Sequence, residues 1–471
     1  MRTRKKLIVT NMTALHRKYG RAGVRQIETA LARLVVADRR RGIGSTIVAL
    51  DDTGVKDHLN LRQNKQAIDR VCRLFKPHHL MILGSIDVVP HQALRNPLYS
   101  PPDGDTDKFV FADLPYACSA AFSEDIEAFT RPSRQVGRLP DVTGSRDPRY
   151  LTGLLLTASG WRPRPVEEYH RHFGLSAEVW KRSTRESLRK TFRTNLDLRT
   201  SPKEGAAWDV SLLNRRLHFI NCHGAAVHPN FFGQSSGDIG DMPVSHRADF
   251  VARPGHILEG TVAVAECCYG GELYDPAIAD GGQIGMCNTY LSRKAYGFFG
   301  STTIAYGPQE GNGQADLICQ YFVQSLLSGA SLGRAALEAR LRFVAKEGGL
   351  SMTDRKTLAQ FNLYGDPSIE PVGGVTPPPV AKPGPERRKS FTLAPPSLRP
   401  TPEVVAKSLS REMGRAHARP VEMFSFAGNL HVMVGSRQPA APKSAGAIRR
   451  LVVLEAVSRG GRIMVGQTHS K

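Results

Sequence analysis

Long apolar runs are missing from this 471-residue chain. No stretch approaches the ~20 apolar residues that a membrane-crossing helix needs, so no membrane span is expected. After the basic start from Met1 to Lys6, the apolar run Leu7-Ile8-Val9-Thr10 falls far short of the roughly 7–15-residue core of a signal peptide, and the sequence reads as cytoplasmic. Cysteine is scarce: seven residues, an odd number, without the spacing of a disulfide framework. That pattern fits a reducing compartment and leaves thiols free for chemistry. Cys222, His223, His228, Cys267 and Cys268 lack two matched pairs at zinc spacing, so neither metal nor cofactor is expected. There is no short internal repeat. Acids are outnumbered, 43 Asp+Glu against 64 Lys+Arg, for a net charge of +21. About half of that excess lies in the last hundred residues. This tail reads either as a contact for nucleic acid, anionic lipid or an acidic partner, or as a solvated linker with an ordinary basic surface.

What is present is an ordinary globular balance, 41% apolar and 23% charged residues, with room for two or three domains. Over residues 1–145, short β-branched runs (Leu7–Asn11, Thr46–Leu50, His79–Leu83) alternate with helical spacing at Val24, Ile27, Leu31, Leu34 and Val35, and at Ile68, Val71, Cys72 and Phe75. Strands separated by helices predict a mainly parallel sheet covered on both faces. Residues 146–372 repeat the theme, with a polar helical stretch at 165–193, three strands, and helices Gln314–Leu327 and Leu332–Lys346. Residues 373–402 are proline-rich and read as a linker. Residues 403–471 read as a small basic α+β module, with a helix over Pro402–Met413 and strands at Leu430–Val434 and Leu451–Val457.

Two segments carry the chemistry. The apolar run Leu217-His218-Phe219-Ile220-Asn221 leads into Cys222-His223-Gly224, and Thr261-Val262-Ala263-Val264-Ala265 leads into Glu266-Cys267-Cys268-Tyr269-Gly270-Gly271. In a parallel sheet both run out at the carboxyl ends of strands, where such folds build their sites. A thiol needs a nearby base to act as a nucleophile, which makes His223 the base and acid for Cys268. The N–H groups of Gly224 and Cys268 are the candidate oxyanion donors. Cys267 is the rival nucleophile, since Gly270 follows it by three residues as Gly271 follows Cys268. Strand alternation lets only one of the pair face His223.

These residues resemble the gingipain-type peptidases of the caspase-like clan, whose pattern is a strand ending in His-Gly and another ending in acidic-small-Cys-x-x-Gly. Further landmarks are Leu80-Met81-Ile82-Leu83-Gly84 with Val89-Pro90, Val136-Gly137-Arg138-Leu139-Pro140, Gly300-Ser301-Thr302-Thr303, and Phe361-Asn362-Leu363-Tyr364-Gly365-Asp366-Pro367-Ser368. The resemblance aligns Cys268, not Cys267, with the family nucleophile. It implies an α/β caspase-like fold in two stacked subdomains with mainly parallel sheets flanked by helices. It also implies a cysteine endopeptidase acting on protein substrates through a thioester, with some members cutting after a basic residue. Known gingipains are exported, whereas the cytoplasmic reading of this sequence points to a regulated intracellular effector controlled by a partner, a ligand or cleavage of the chain. Asp113 matches the family acid that orients the histidine. Glu124, Asp125 and Glu127 lie where basic-selective members place a specificity acid, and Asp125 is the expected one. The competing reading keeps the fold as a catalytically silent scaffold recruited through the basic tail. Asp366 before Pro367 reads as a turn former.

Overall fold

The computed structural model describes residues 4–193, 197–201, 209–235, 242–346, 349–379, 420–426, 429–434, 452–459 and 462–471. Strand β1 (Arg4–Thr10) is followed by α1 (Met12–Arg40), β2 (Ile43–Ala49), α2 (Leu61–Phe75), β3 (His79–Leu83) and β4 (Gln135–Leu139). Then come α3 (Arg149–Gly160), β5 (His172–Ala177), α4 (Lys181–Phe192), β6 (Leu198–Ser201), β7 (Leu217–Asn221) and β8 (Val262–Ala265). They are followed by α5 (Met286–Ser292), β9 (Gly297–Ser301), the short β10 (Tyr306–Gly307), α6 (Gln314–Leu327), α7 (Leu332–Val344), α8 (Met352–Gln360) and β11 (Phe361–Tyr364). Two tail strands, β12 (Val452–Arg459) and β13 (Arg462–Ser470), pair antiparallel with each other.

Ten strands form one sheet in the order β2-β1-β3-β4-β11-β9-β8-β7-β5-β6. Neighbouring strands run parallel except for β9 and β11, which pair antiparallel. The alternating pattern predicts the mainly parallel α/β pairing; the two blocks lie side by side in one continuous sheet, with a bridge between β11 and β4 from Tyr364 to Arg138. The stretch 165–193 departs from the single helix expected of it. His172-Phe173-Gly174-Leu175-Ser176-Ala177 is a fully buried strand, β5, beside β7. A six-residue strand with a central glycine, flanked by polar helical sequence, gives too short a period-2 signal to stand out. The helix expected over 402–413 lies outside the described residues, as does most of the linker.

The family landmarks meet at the seam between the blocks. Arg138, fully buried, donates to Gly84 O (2.9 Å), Val89 O (2.6 Å) and both oxygens of Asp113 (2.9 and 2.6 Å). A Cβ on Gly137 would lie 2.6 Å from Gly365 O, so only glycine lets strand β4 approach the backbone at Gly365. Asp366 is a structural residue: Lys6 Nζ sits 2.6 Å from both Asp366 and Asp38, and all three side chains are buried. Replacing Lys6 by alanine strands two carboxylates in the interior. Chemical denaturation should show Lys6→Ala less stable than wild type by about 3–5 kcal/mol.

Candidate active site

The β7–β8 ladder pairs Leu217 with Val262 through Ile220 with Ala265. Carried three residues further, the same offset brings His223 level with Cys268, just past the carboxyl ends of adjacent strands. Alternation then decides between the cysteines. Cys267 packs on one face with Ile220, Cys222 and Ala265, while Cys268 packs on the other with Phe219 and Val264. Residues 221, 223, 266 and 268 share that second face by parity. Asn221 accordingly reaches Asp316 on α6 (3.1 Å).

Gly224 must be glycine. A Cβ there would lie 1.8 Å from Cys268 O, so the His-Gly turn closes directly against the peptide of the nucleophile candidate. After Cys268 the chain turns through Tyr269 in the left-handed region (φ 55°), a conformation unusual for a bulky residue. The tyrosine hydroxyl is fastened to Asp107 (2.7 Å). Gly271 tucks under β9, its N–H on Ser301 O at 2.6 Å.

The His223 ring stands edge-on to Trp180 at 4.4 Å, and its Nε2 lies 2.8 Å from Gln234 Oε1. An amide oxygen only accepts, so this contact puts the proton on Nε2 and makes Nδ1 the basic nitrogen. The Cys268 sulfur receives the N–H of Ala305 (3.2 Å). Burial pushes the Cys268 thiol up to about 12, against the lowering influence of the Ala305 hydrogen bond and of Lys356.

The main-chain oxygen of Lys471 accepts the N–H of Cys268 at 3.1 Å, and Lys471 N donates to Ala305 O at 2.9 Å. Its Nζ lies 3.0 Å from Glu266 Oε2 and 2.8 Å from Asp316 Oδ1, and 5.7 Å from the centre of the Trp180 ring. Burial, then the charge of Asp316, pushes Glu266 well up from the usual carboxylate range, with Lys471 acting against them. Burial works against the Lys471 ammonium, yet Asp316 and Glu266 together hold its pKa above the ordinary value. Gly307 lines the same pocket: a Cβ there would meet Lys471 Cε at 2.3 Å and Asp316 Oδ2 at 2.6 Å.

Two expectations are corrected. Asp113 does not reach His223; Arg138 holds both of its oxygens, and the imidazole beside it is His91, at 3.7 Å. Asp125 is exposed and caps a short 3-10 helix by accepting Glu127 N at 3.0 Å, while Glu124 pairs with Arg95 and Glu127 with Arg355. On the face shared with Cys268, Glu266 and Asp316 hold a basic side chain, that of Lys471. Glu266 was visible as the acid two residues before Cys268. Asp316 had one signal, an acid in the first turn of the otherwise apolar helix α6. Gln234, Trp180 and Lys471 had none.

Residues 227–372 match the model of peptidase family C25. Among solved structures the chain is similar to the Arg-specific cysteine proteinase gingipain R (RgpB), with 10% identity, a TM-score of 0.51, and 100% of this chain and 91% of that one covered. It is also similar to a complex of the pro- and mature domains of RgpB from Porphyromonas gingivalis, with 11% identity, a TM-score of 0.53, and 98% and 99% covered. No curated protein matches. The structural likeness establishes the gingipain-like fold, and the family match supports a cysteine peptidase. Among the described residues no helix is long and apolar enough to cross a membrane, and no group of His, Cys, Asp or Glu could hold a metal ion.

With the thiol held near 12, its alkylation by iodoacetamide should accelerate about tenfold per pH unit from pH 7 to 10, because only the thiolate reacts. A plateau already reached at neutral pH would instead reveal a preformed thiolate.

Proposed function

We propose that the protein is a cysteine endopeptidase that cleaves protein substrates on the carboxyl side of a basic residue. Cys268 is the nucleophile and His223 the proton carrier. The reading rests above all on one observation: a lysine whose main-chain oxygen is held by Cys268 N–H while its ammonium lies between two buried carboxylates.

His223 Nδ1 takes the proton of the Cys268 thiol as the sulfur adds to the carbonyl carbon of the scissile bond. The oxygen that becomes negative is received by Cys268 N–H, with Gly224 N–H as the second donor. As the tetrahedral intermediate collapses, the C–N bond breaks and His223 gives its proton to the departing amine, leaving a thioester. Water, deprotonated by the same imidazole, then releases the acid and restores the thiol. Gln234, by accepting from Nε2, acts as a positioning residue that fixes the tautomer; Asp113, locked to Arg138, has no part in this scheme.

Selectivity follows from charge. An aliphatic stem along Trp180 and Gly307 delivers a cation to Glu266 and Asp316. Among the described residues Glu266 Oε1 and Asp316 Oδ2 have no hydrogen-bond partner, so the pocket also offers acceptors for the wider fork of a guanidinium. An acidic side chain at that position would face two buried carboxylates.

A peptide-library cleavage profile tests the reading. Cuts should follow Lys and Arg, disappear in Cys268→Ala, and persist in Cys267→Ala. Asp316→Asn should lower kcat/KM for lysyl substrates by at least about 30-fold, the low end of what loss of one buried charge partner costs. Cleavage surviving Cys268→Ala, or a preference for Asp, would overturn it.

A further inference from the structure

The lysine in the pocket belongs to the protein itself, at the end of β13. Thr468, His469, Ser470 and Lys471 are all buried, between 6% and 1% exposed. Ser470 pairs with Tyr306 and His469 with Gly307 in an antiparallel ladder on β10. Lys471 N bonds to Ala305 O, the next residue of the same edge. An extended segment added to an exposed edge, with one side chain in a pocket, is a general mode of peptide recognition. Here every element of that mode is occupied at once: edge, pocket and Cys268 N–H.

We infer that residues 468–471 are a substrate-like strap that occupies the cleft of its own chain and must leave before an external polypeptide can bind. The inference rests on the peptidase reading for what the cleft does, but not for whether the strap fills it. The strap presents its carbonyl where an oxyanion would form, its lysine where a substrate's basic side chain would go, and its backbone along β10. An external substrate cannot share any of these. A tethered ligand also competes at an effective concentration far above that of a free peptide, so modest intrinsic affinity suffices. Gly307 makes the arrangement possible, since any side chain there would collide with the Lys471 stem. The control is electrostatic as well as steric: an acidic side chain at position 471 would be repelled by the two carboxylates that hold the ammonium.

The full-length protein and its Lys471→Glu variant separate the outcomes. With a lysyl acyloxymethyl ketone as probe, Cys268 in the variant should be labelled at least about tenfold faster than in wild type, since the like charge empties the cleft. Hydrogen exchange across 468–471 should be slow in wild type, and fast both in the variant and in wild type already labelled by the probe. Fast exchange in unlabelled wild type overturns the inference, as do equal labelling rates with slow exchange in both proteins. Failure of the peptidase reading looks different. Neither protein would be labelled or cleave peptides, while loss of protection in Lys471→Glu would still report that the strap fills the pocket.

Discussion

The parallel pairing of β7 with β8 at one constant offset is the constraint on which the site depends. It makes His223 and Cys268 end their strands at the same level and puts Glu266 on their side of the sheet. It also sends Cys267 into the opposite core. A slip of one residue would exchange the two faces and present the wrong thiol. The offset is enforced from outside the ladder as well, because Gly224 fits against the Cys268 peptide with no room for a side chain.

A second theme is the lysine ammonium held between two carboxylates. Lys6 lies between Asp38 and Asp366, Lys356 between Asp105 and Asp107, and Lys471 between Glu266 and Asp316, each lysine side chain fully buried. Buried groups of this kind tolerate the loss of one partner badly, since the remaining charge has no solvent to turn to. In the first two the cation comes from the folded body. In the third it comes from a strand attached along β10 by two residue pairs. Burial and the charge of Asp316 push Glu266 upward, and Lys471 acts against both.

The candidate pair His223 and Cys268 was legible because both residues follow hydrophobic strands at small-residue turns, a local pattern. The helices Gln314–Leu327 and Leu332–Val344 were legible for the same reason, as regular apolar spacing closed by glycine. The landmarks that carried the family resemblance turn out to describe the seam. Arg138, Gly84, Gly137 and Gly365 join the two blocks, and Asp113 serves that joint by holding Arg138. Motif position alone could not separate an acid that steers a histidine from one that neutralises an arginine. The acids of the proposed basic pocket were illegible for another reason. Asp125 stands in an acidic turn that looks like a pocket in one dimension, whereas Glu266, Asp316 and Lys471 meet only through strand, helix and tail contacts spanning 205 and 155 residues of sequence.

Asp107 receives the hydroxyl of Tyr269 on one oxygen and the N–H of Ile304 on the other. The first fastens the turn that aims the sulfur. The second fastens the loop whose next residue, Ala305, donates its N–H to that sulfur. A single carboxylate 162 residues before Tyr269 therefore sets the spacing between the Cys268 sulfur and one of its own hydrogen-bond donors. Insertions or strain in the 99–108 segment would be felt as a change in how the thiol is pointed, without any contact to it.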